Sequence, residues 1–240
     1  MSRDALPRIV TPLALAAAIL VSFGLEKPAP PVELASEEPP APAAAEVRGA
    51  FEEALSAAGP GYDRGVGSAT VTVLEFSDFG CPYCARFATA TYPRLAEAFV
   101  KTGKVRWKYV PFVMGMFPNG GEAARAAECA ADQGRTAFGR MHDLLYQRQD
   151  EWKGASDPAA LFRGYAGRAA MNVDRFASCY ASDATQARIR ASNELADRMG
   201  VRATPTFFVN GERIEGALSA DQFREVLLDA LGGAGGGAGR

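Results

Sequence analysis

Apolar and polar positions alternate with different periods along the chain, and each period predicts a different element. Residues 9–25 carry no charge; Arg3 and Arg8 precede them, and Glu26, Glu33, Glu37 and Glu38 follow. That pattern predicts a membrane-targeting segment with the N-terminus in the cytoplasm and the rest of the chain outside. The run is short for a spanning helix and has no small-x-small site directly after Leu25. An uncleaved signal anchor and a cleaved signal peptide therefore both stay open for residues 1–27. Residues 28–63 begin with Pro28, Pro30, Pro31, Pro39, Pro40 and Pro42 among Ala and Glu, the composition of an extended spacer. Val47, Ala50, Phe51, Ala54 and Leu55 then recur at helical intervals and predict one short amphipathic helix before Gly59-Pro60-Gly61.

Beyond this point the period becomes that of strands. Residues 70–76 are rich in β-branched side chains, with Val71, Val73 and Leu74 predicting burial on both faces. Residues 85–102 read as a helix interrupted at Pro93 and ended by Gly103. In the strand predicted over 104–112, Val105, Trp107 and Tyr109 alternate with Lys104, Arg106 and Lys108. A strand, helix, strand unit favours a parallel sheet. Near the C-terminus, residues 206–209, Asn210-Gly211 and residues 212–214 predict a hairpin with a type I′ turn. Ser219 and Gln222 make a capping box ahead of a helix bearing Phe223, Val226, Leu227, Ala230 and Leu231. Between these halves, residues 115–199 read almost entirely as helix, with starts at Asp157-Pro158, Asp174 and Ser182/Asp183. The fold class is α/β: a frame of residues 64–114 and 200–231 holding an all-helical insert, and a Gly-rich disordered tail over 232–240.

Composition narrows the functions. With 26 Lys+Arg against 28 Asp+Glu, the formal charge of -2 lacks the basic excess of a nucleic-acid binder. The single His, His142, lies on a helix with Phe138, Met141 and Leu145 and reads as a surface or packing residue. Four cysteines remain, Cys81, Cys84, Cys129 and Cys179.

Cys81-Pro82-Tyr83-Cys84 falls where a strand ends and a helix begins. A helix N-terminus aims unpaired N–H groups and the positive end of its dipole at whatever sits there, which lowers a thiol pKa and produces the attacking thiolate. Cys81 holds that position. Cys84, one turn later, can close a disulfide with it and suits the resolving role, while Pro82 fits the first turn, where no N–H is needed. The implied chemistry is thiol–disulfide exchange through a mixed disulfide. Zinc is disfavoured, because the remaining ligands are scattered and there is no second C-x-x-C; a purely structural pair would close almost no loop and stabilise little.

The strand, the Cys81–Cys84 motif, the helical insert and Ala203-Thr204-Pro205-Thr206-Phe207 downstream together resemble the DsbA-like thiol–disulfide oxidoreductases of the thioredoxin superfamily, over residues 64–231. The resemblance implies a thioredoxin-like fold with an inserted helical domain. It also implies a cis bond before Pro205, with Thr204 presenting its backbone to an extended client, and a role for Glu75 beneath the cysteines in moving the proton of the buried thiol. Where oxidising members carry His between the cysteines, this chain has Tyr83, which implies a less oxidising potential. Cys129 and Cys179 are expected to form a structural disulfide, as some members have one in the insert; two unpaired thiols or a second redox pair are the alternatives.

These readings converge on an extracytoplasmic enzyme, in the periplasm or on the outer face of the cell envelope, anchored through residues 9–25. It exchanges disulfides with exported proteins and most readily supports disulfide formation. A membrane redox partner resets it, and no metal or organic cofactor is required. The alternatives are a reductase or isomerase of the same fold, or a redox-inert module that binds clients or carries a soft metal.

Overall fold

The computed structural model describes residues 41–56, 59–65 and 69–235. The segment read as an anchor, most of the proline spacer and residues 236–240 lie outside the described residues. Among the described residues no helix is long and apolar enough to cross a membrane.

Five strands form one sheet in the order β1-β3-β2-β4-β5: β1 (Tyr62–Asp63), β2 (Val71–Ser77), β3 (Val105–Pro111), β4 (Thr206–Val209) and β5 (Glu212–Glu215). β2 lies at the centre. It runs parallel to β3, with Glu75 opposite Tyr109, and antiparallel to β4, with Glu75 opposite Phe207. Asn210 and Gly211 take φ of 50° and 90° at the β4–β5 turn, the left-handed pair that a type I′ hairpin requires.

Side chains of alternating strand positions supply two cores. On one face Val71, Val73, Trp107 and Phe207 pack with Phe87, Phe223 and Leu227, under the helix after the cysteines and under α10 (Ala220–Gly235). On the other, Leu74, Phe76, Val110 and Phe208 meet Phe51 and Ala54 of α1 (Ala44–Leu55) and Leu195, Ala196 and Met199 beside α9 (Gln186–Arg198). Ser219 and Gln222 exchange reciprocal capping bonds of 3.0 and 3.3 Å before α10. That helix runs through Gly235, so residues 232–235 extend it instead of beginning a disordered tail.

The helix after the cysteines is less regular than its sequence suggests. α2 (Pro82–Arg86) passes through a π-helical turn, Phe87–Thr91, into α3 (Tyr92–Leu95) and a second π turn, Ala96–Val100. Pro93 falls in the first turn of α3, so the wider turn before it accommodates the missing N–H and the chain stays helical where an interruption was expected.

Lys108 also departs from expectation. Strand alternation placed it on a polar face, yet it is buried, because β3 is covered on both sides. Its ammonium donates to the carbonyls of Ala54, Ser56 and Gly59, with the latter two at 3.3 and 3.0 Å. It thereby gathers carbonyls at and just beyond the C-terminal end of α1. Burial pushes its pKa down.

The insert contains α4 (Gly120–Ala131), α5 (Arg135–Gln147), α6 (Gln149–Lys153), α7 (Ala159–Arg168) and α8 (Val173–Tyr180) before α9. Asp157 caps the turn into α7 through a 3.0 Å bond from the Ala159 N–H. α8 is capped by Asn172, which accepts from the Arg175 N–H at 2.8 Å, and not by Asp174. α9 starts at Gln186, later than the Ser182/Asp183 signal, because Ser182 turns back on the Cys179 carbonyl. Cys129 and Cys179 are joined by a disulfide that ties α4 to α8. The insert's core, including Ala127, Phe138, Met141 and Tyr146, is continuous with Phe79, Cys81 and Cys84.

Candidate active site

Cys81 is the residue immediately before α2, in extended backbone conformation, and Pro82 opens the helix. The backbone N–H groups of Tyr83 and Cys84 face the Cys81 sulfur closely enough to favour its ionised form, though no capping hydrogen bond closes. The thiol donates to the Thr204 carbonyl at 3.4 Å. Thr204 precedes Pro205 across a cis peptide bond, and its hydroxyl donates to the Met114 sulfur at 3.3 Å. The Cys81–Cys84 motif and the distant Thr204-Pro205 pair are thus brought together.

The two thiols are driven apart in acidity. A hydrogen bond from Cys84 is the largest influence on Cys81; with the Thr204 contact and the helix N–H groups it outweighs burial and holds the Cys81 pKa down, to about 6. Cys84 lies deeper, and burial together with its position beside Cys81 pushes its pKa well up. Both sulfurs are nearly covered: Cys81 is 2% exposed and Cys84 0%, whereas Tyr83 between them is 58% exposed.

Glu75 is a buried residue and not a solvated one on an open strand. Its Oε1 accepts from the Ser77 hydroxyl at 2.7 Å and its Oε2 from Trp107 Nε1 at 2.7 Å. Burial raises its pKa against the opposing pull of these two donors.

Several further residues shape the site, and apart from Tyr109 and His142 they were not singled out from the sequence. Asp78 accepts from the N–H groups of Gly80 and Met114, both at 2.8 Å, and pins the loop ahead of Cys81. A Cβ at Gly120 would stand 2.8 Å from Asp78 Oδ1, so glycine is required for this approach. Gln149 donates to the carbonyls of Phe79 at 2.6 Å and Cys81 at 3.0 Å, joining the insert to the motif. The Tyr109 hydroxyl donates to the Ser77 carbonyl at 3.2 Å and lies 2.8 Å from that of Tyr146. His142 is buried against Phe79, Tyr109 and Tyr146; burial and the adjacent Arg64 push its pKa down, to about 4. Ser77 carried a usable signal, since it lies two positions after Glu75 on one strand. Gln149 and Tyr146 carried none. Cys129 and Cys179 bond each other and so supply no zinc ligand.

A thioredoxin family model matches residues 59–229. Among curated relatives, disulfide bond formation protein D of Bacillus subtilis is 26% identical over 175 residues, covering 70% of this chain and 76% of that protein. The Na(+)/H(+) antiporter NhaA 3 of Salinispora tropica is 39% identical over 173 residues, covering 71% of this chain and 25% of the antiporter. The chain thus spans about a quarter of the length of such relatives. Among solved structures, oxidised BdbD from Bacillus subtilis superposes with a TM-score of 0.66 at 24% identity, covering 72% of this chain and 93% of that one. Wolbachia pipientis alpha-DsbA1 gives 0.65 at 21%, covering 72% and 92%. With the family match running from the loop before β1 to the last helix, the chain belongs to the thioredoxin family, and it shares the fold of the solved BdbD and alpha-DsbA1 structures.

Proposed function

We propose that the protein exchanges disulfides with exported proteins outside the cytoplasm through Cys81 and Cys84, and that it supports disulfide formation. The observation that carries this reading is the opposed acidity of two adjacent thiols, with Cys81 held at about 6 beside the cis-proline loop and Cys84 pushed up. A client thiolate attacks Cys81 of the oxidised pair, and Cys84 leaves and takes a proton. The second client thiol then displaces Cys81, which departs readily because its thiolate is stabilised. Thr204 and Pro205 offer the backbone edge for an extended client, and Glu75 supplies the proton.

Location and anchoring are read from the uncharged run at 9–25 with basic residues before it and acidic ones after it. The Cys129–Cys179 bridge favours an oxidising compartment. The name of the Bacillus subtilis relative, disulfide bond formation protein D, supports the direction. A membrane redox partner would reoxidise the pair. The antiporters align over a quarter of their length, and no ion transport is proposed for this chain. Tyr83 in place of a cationic neighbour favours a potential less oxidising than that of His-containing relatives.

Oxidation of reduced ribonuclease and reduction of insulin, each with wild type and Cys81→Ala, test the reading. Turnover lost in Cys81→Ala, with ribonuclease oxidation exceeding insulin reduction, is the expected result. Tight metal stoichiometry with no exchange would replace the enzyme by a carrier, and insulin reduction alone would reverse the direction.

A further inference from the structure

The groups beneath the cysteine pair form a chain in which Ser77 has no role in the chemistry described so far. Ser77 is fully buried on β2, two residues after Glu75, so both side chains point to the face that carries Trp107 and the active-site helix. Ser77 Oγ lies 2.7 Å from Glu75 Oε1, and Trp107 Nε1 lies 2.7 Å from Glu75 Oε2. An indole N–H only donates, so Oε2 serves as acceptor and the one proton of a neutral Glu75 belongs on Oε1, facing Ser77. The Ser77 O–H is then free to turn from Glu75 toward Cys84, whose pKa the hydroxyl pulls down against burial, although no closed hydrogen bond joins Ser77 Oγ to Cys84 Sγ among the described residues. When Glu75 is ionised, the hydroxyl turns back and donates to Oε1. Among the described residues, neither active-site sulfur hydrogen-bonds Glu75 directly.

We propose that Ser77 relays the proton between Glu75 and Cys84, an inference that rests on the exchange reading above. As a client thiolate forms its bond to Cys81 Sγ, the Cys81–Cys84 bond breaks and its electron pair goes to Cys84 Sγ. That sulfur takes the Ser77 proton while Ser77 takes the Glu75 proton, leaving a mixed disulfide and an ionised Glu75. The second client thiol loses its proton to solvent, forms the client disulfide and releases Cys81 as thiolate. Two electrons have passed from client to pair. A hydroxyl suits the task because one oxygen both accepts and donates without moving.

Single-turnover oxidation of a reduced client by the pre-oxidised full chain, followed across pH, tests the relay in wild type, Ser77→Ala, Ser77→Thr, Glu75→Gln and the Glu75→Gln/Ser77→Ala double variant. Loss of proton transfer by a positioned group slows a step by about a hundredfold or more, and a bypass through water would reduce this to about tenfold. Ser77→Ala is therefore expected to slow the step at least about tenfold and to flatten its pH profile, with Ser77→Thr restoring most of the rate. Because both substitutions cut the same path, Ser77→Ala adds no loss to Glu75→Gln. Should Ala disturb the strand, Ser77→Gly gives a second hydroxyl-free comparison. A wild-type rate in the hydroxyl-free variants, or losses that multiply in the double variant, overturns the relay while the exchange reading stands. A wild type that oxidises no client removes the exchange reading itself, and the relay with it.

Discussion

Replacing Cys84 by Ala removes the largest influence that holds the Cys81 thiol down, the hydrogen bond between the two sulfurs. A hydrogen bond to a charged group contributes about 1.5–3 kcal/mol. Since about 1.4 kcal/mol is tenfold in an equilibrium constant, the acid constant of Cys81 should fall roughly ten- to hundredfold. The N–H groups of Tyr83 and residue 84 and the Thr204 contact remain, so Cys81 keeps part of its acidity.

At a pH near 6, the wild-type Cys81 thiol is about half ionised. In Cys84→Ala the ionised share drops to roughly a tenth or less, given the fall in acid constant. Alkylation of the reduced protein by iodoacetamide, with modification at residue 81 quantified by peptide mass spectrometry, should therefore slow about fivefold or more at that pH. Well above both transitions the two proteins converge, because the thiolate is then fully formed in each. Equal rates at pH 6 would refute the argument: the helix terminus alone would then account for the thiolate, and Cys84 would be a bystander to it.

Two further outcomes follow from the buried groups. Burial raises the Glu75 pKa, so the folded chain keeps a proton that the unfolded chain releases above about 4.5. The stability linked to that proton is complete below about 4.5 and is lost as pH rises toward the raised folded value; Glu75→Gln should therefore raise the Tm at pH 7 and leave it nearly unchanged at pH 4, and a gap independent of pH in thermal melts would contradict this. Replacing both Cys129 and Cys179 by Ser opens a loop of sequence separation 50 and should cost about 2–4 kcal/mol in denaturant unfolding, with exchange at Cys81 unaffected below the melting range; loss of exchange in the folded variant would assign the second pair to the redox chemistry.

The sheet was readable because its signals are local. Residues 70–76 announce a buried central strand, Asn210-Gly211 fixes the hairpin register through two positive φ angles, and Cys81-Pro82 marks the turn from strand to helix. Lys108 was misplaced because alternation says which face a side chain takes and not whether that face is covered; α1, distant in sequence, covers it. The π turns escaped because hydrophobic spacing does not distinguish one extra residue in a turn. Two-residue β1 was missed since its pairing with β3 leaves no periodic trace. At the site, the motif gave Cys81 and Cys84, whereas Gln149 and Tyr146 are set by the packing of the insert against the frame, which no spacing along the chain encodes.

That packing bears on the chemistry. Cys81 and Cys84 stand one helical turn apart, and the helix terminus acts mainly on the first of them, because the N–H groups that favour a thiolate belong to the opening turn. The second sulfur is kept protonated by what covers it. Cys84 shares its core with Phe79, Tyr109, Phe138 and Tyr146, and the hydroxyls of Tyr109 and Tyr146 hydrogen-bond each other instead of turning to solvate the sulfur. Two of these four residues, Phe138 and Tyr146, come from the insert's α5 and two, Phe79 and Tyr109, from the frame, and Gln149 of α6 ties the insert to the carbonyl of Cys81 itself. The frame thus favours the ionised thiol at Cys81, while frame and insert together keep Cys84 covered and protonated. A variant that loosens the insert without touching the motif, such as Gln149→Ala, accordingly acts on the difference between the two thiols by letting water reach Cys84, which lowers its pKa and shortens the lifetime over which a mixed disulfide waits for the client's second thiol.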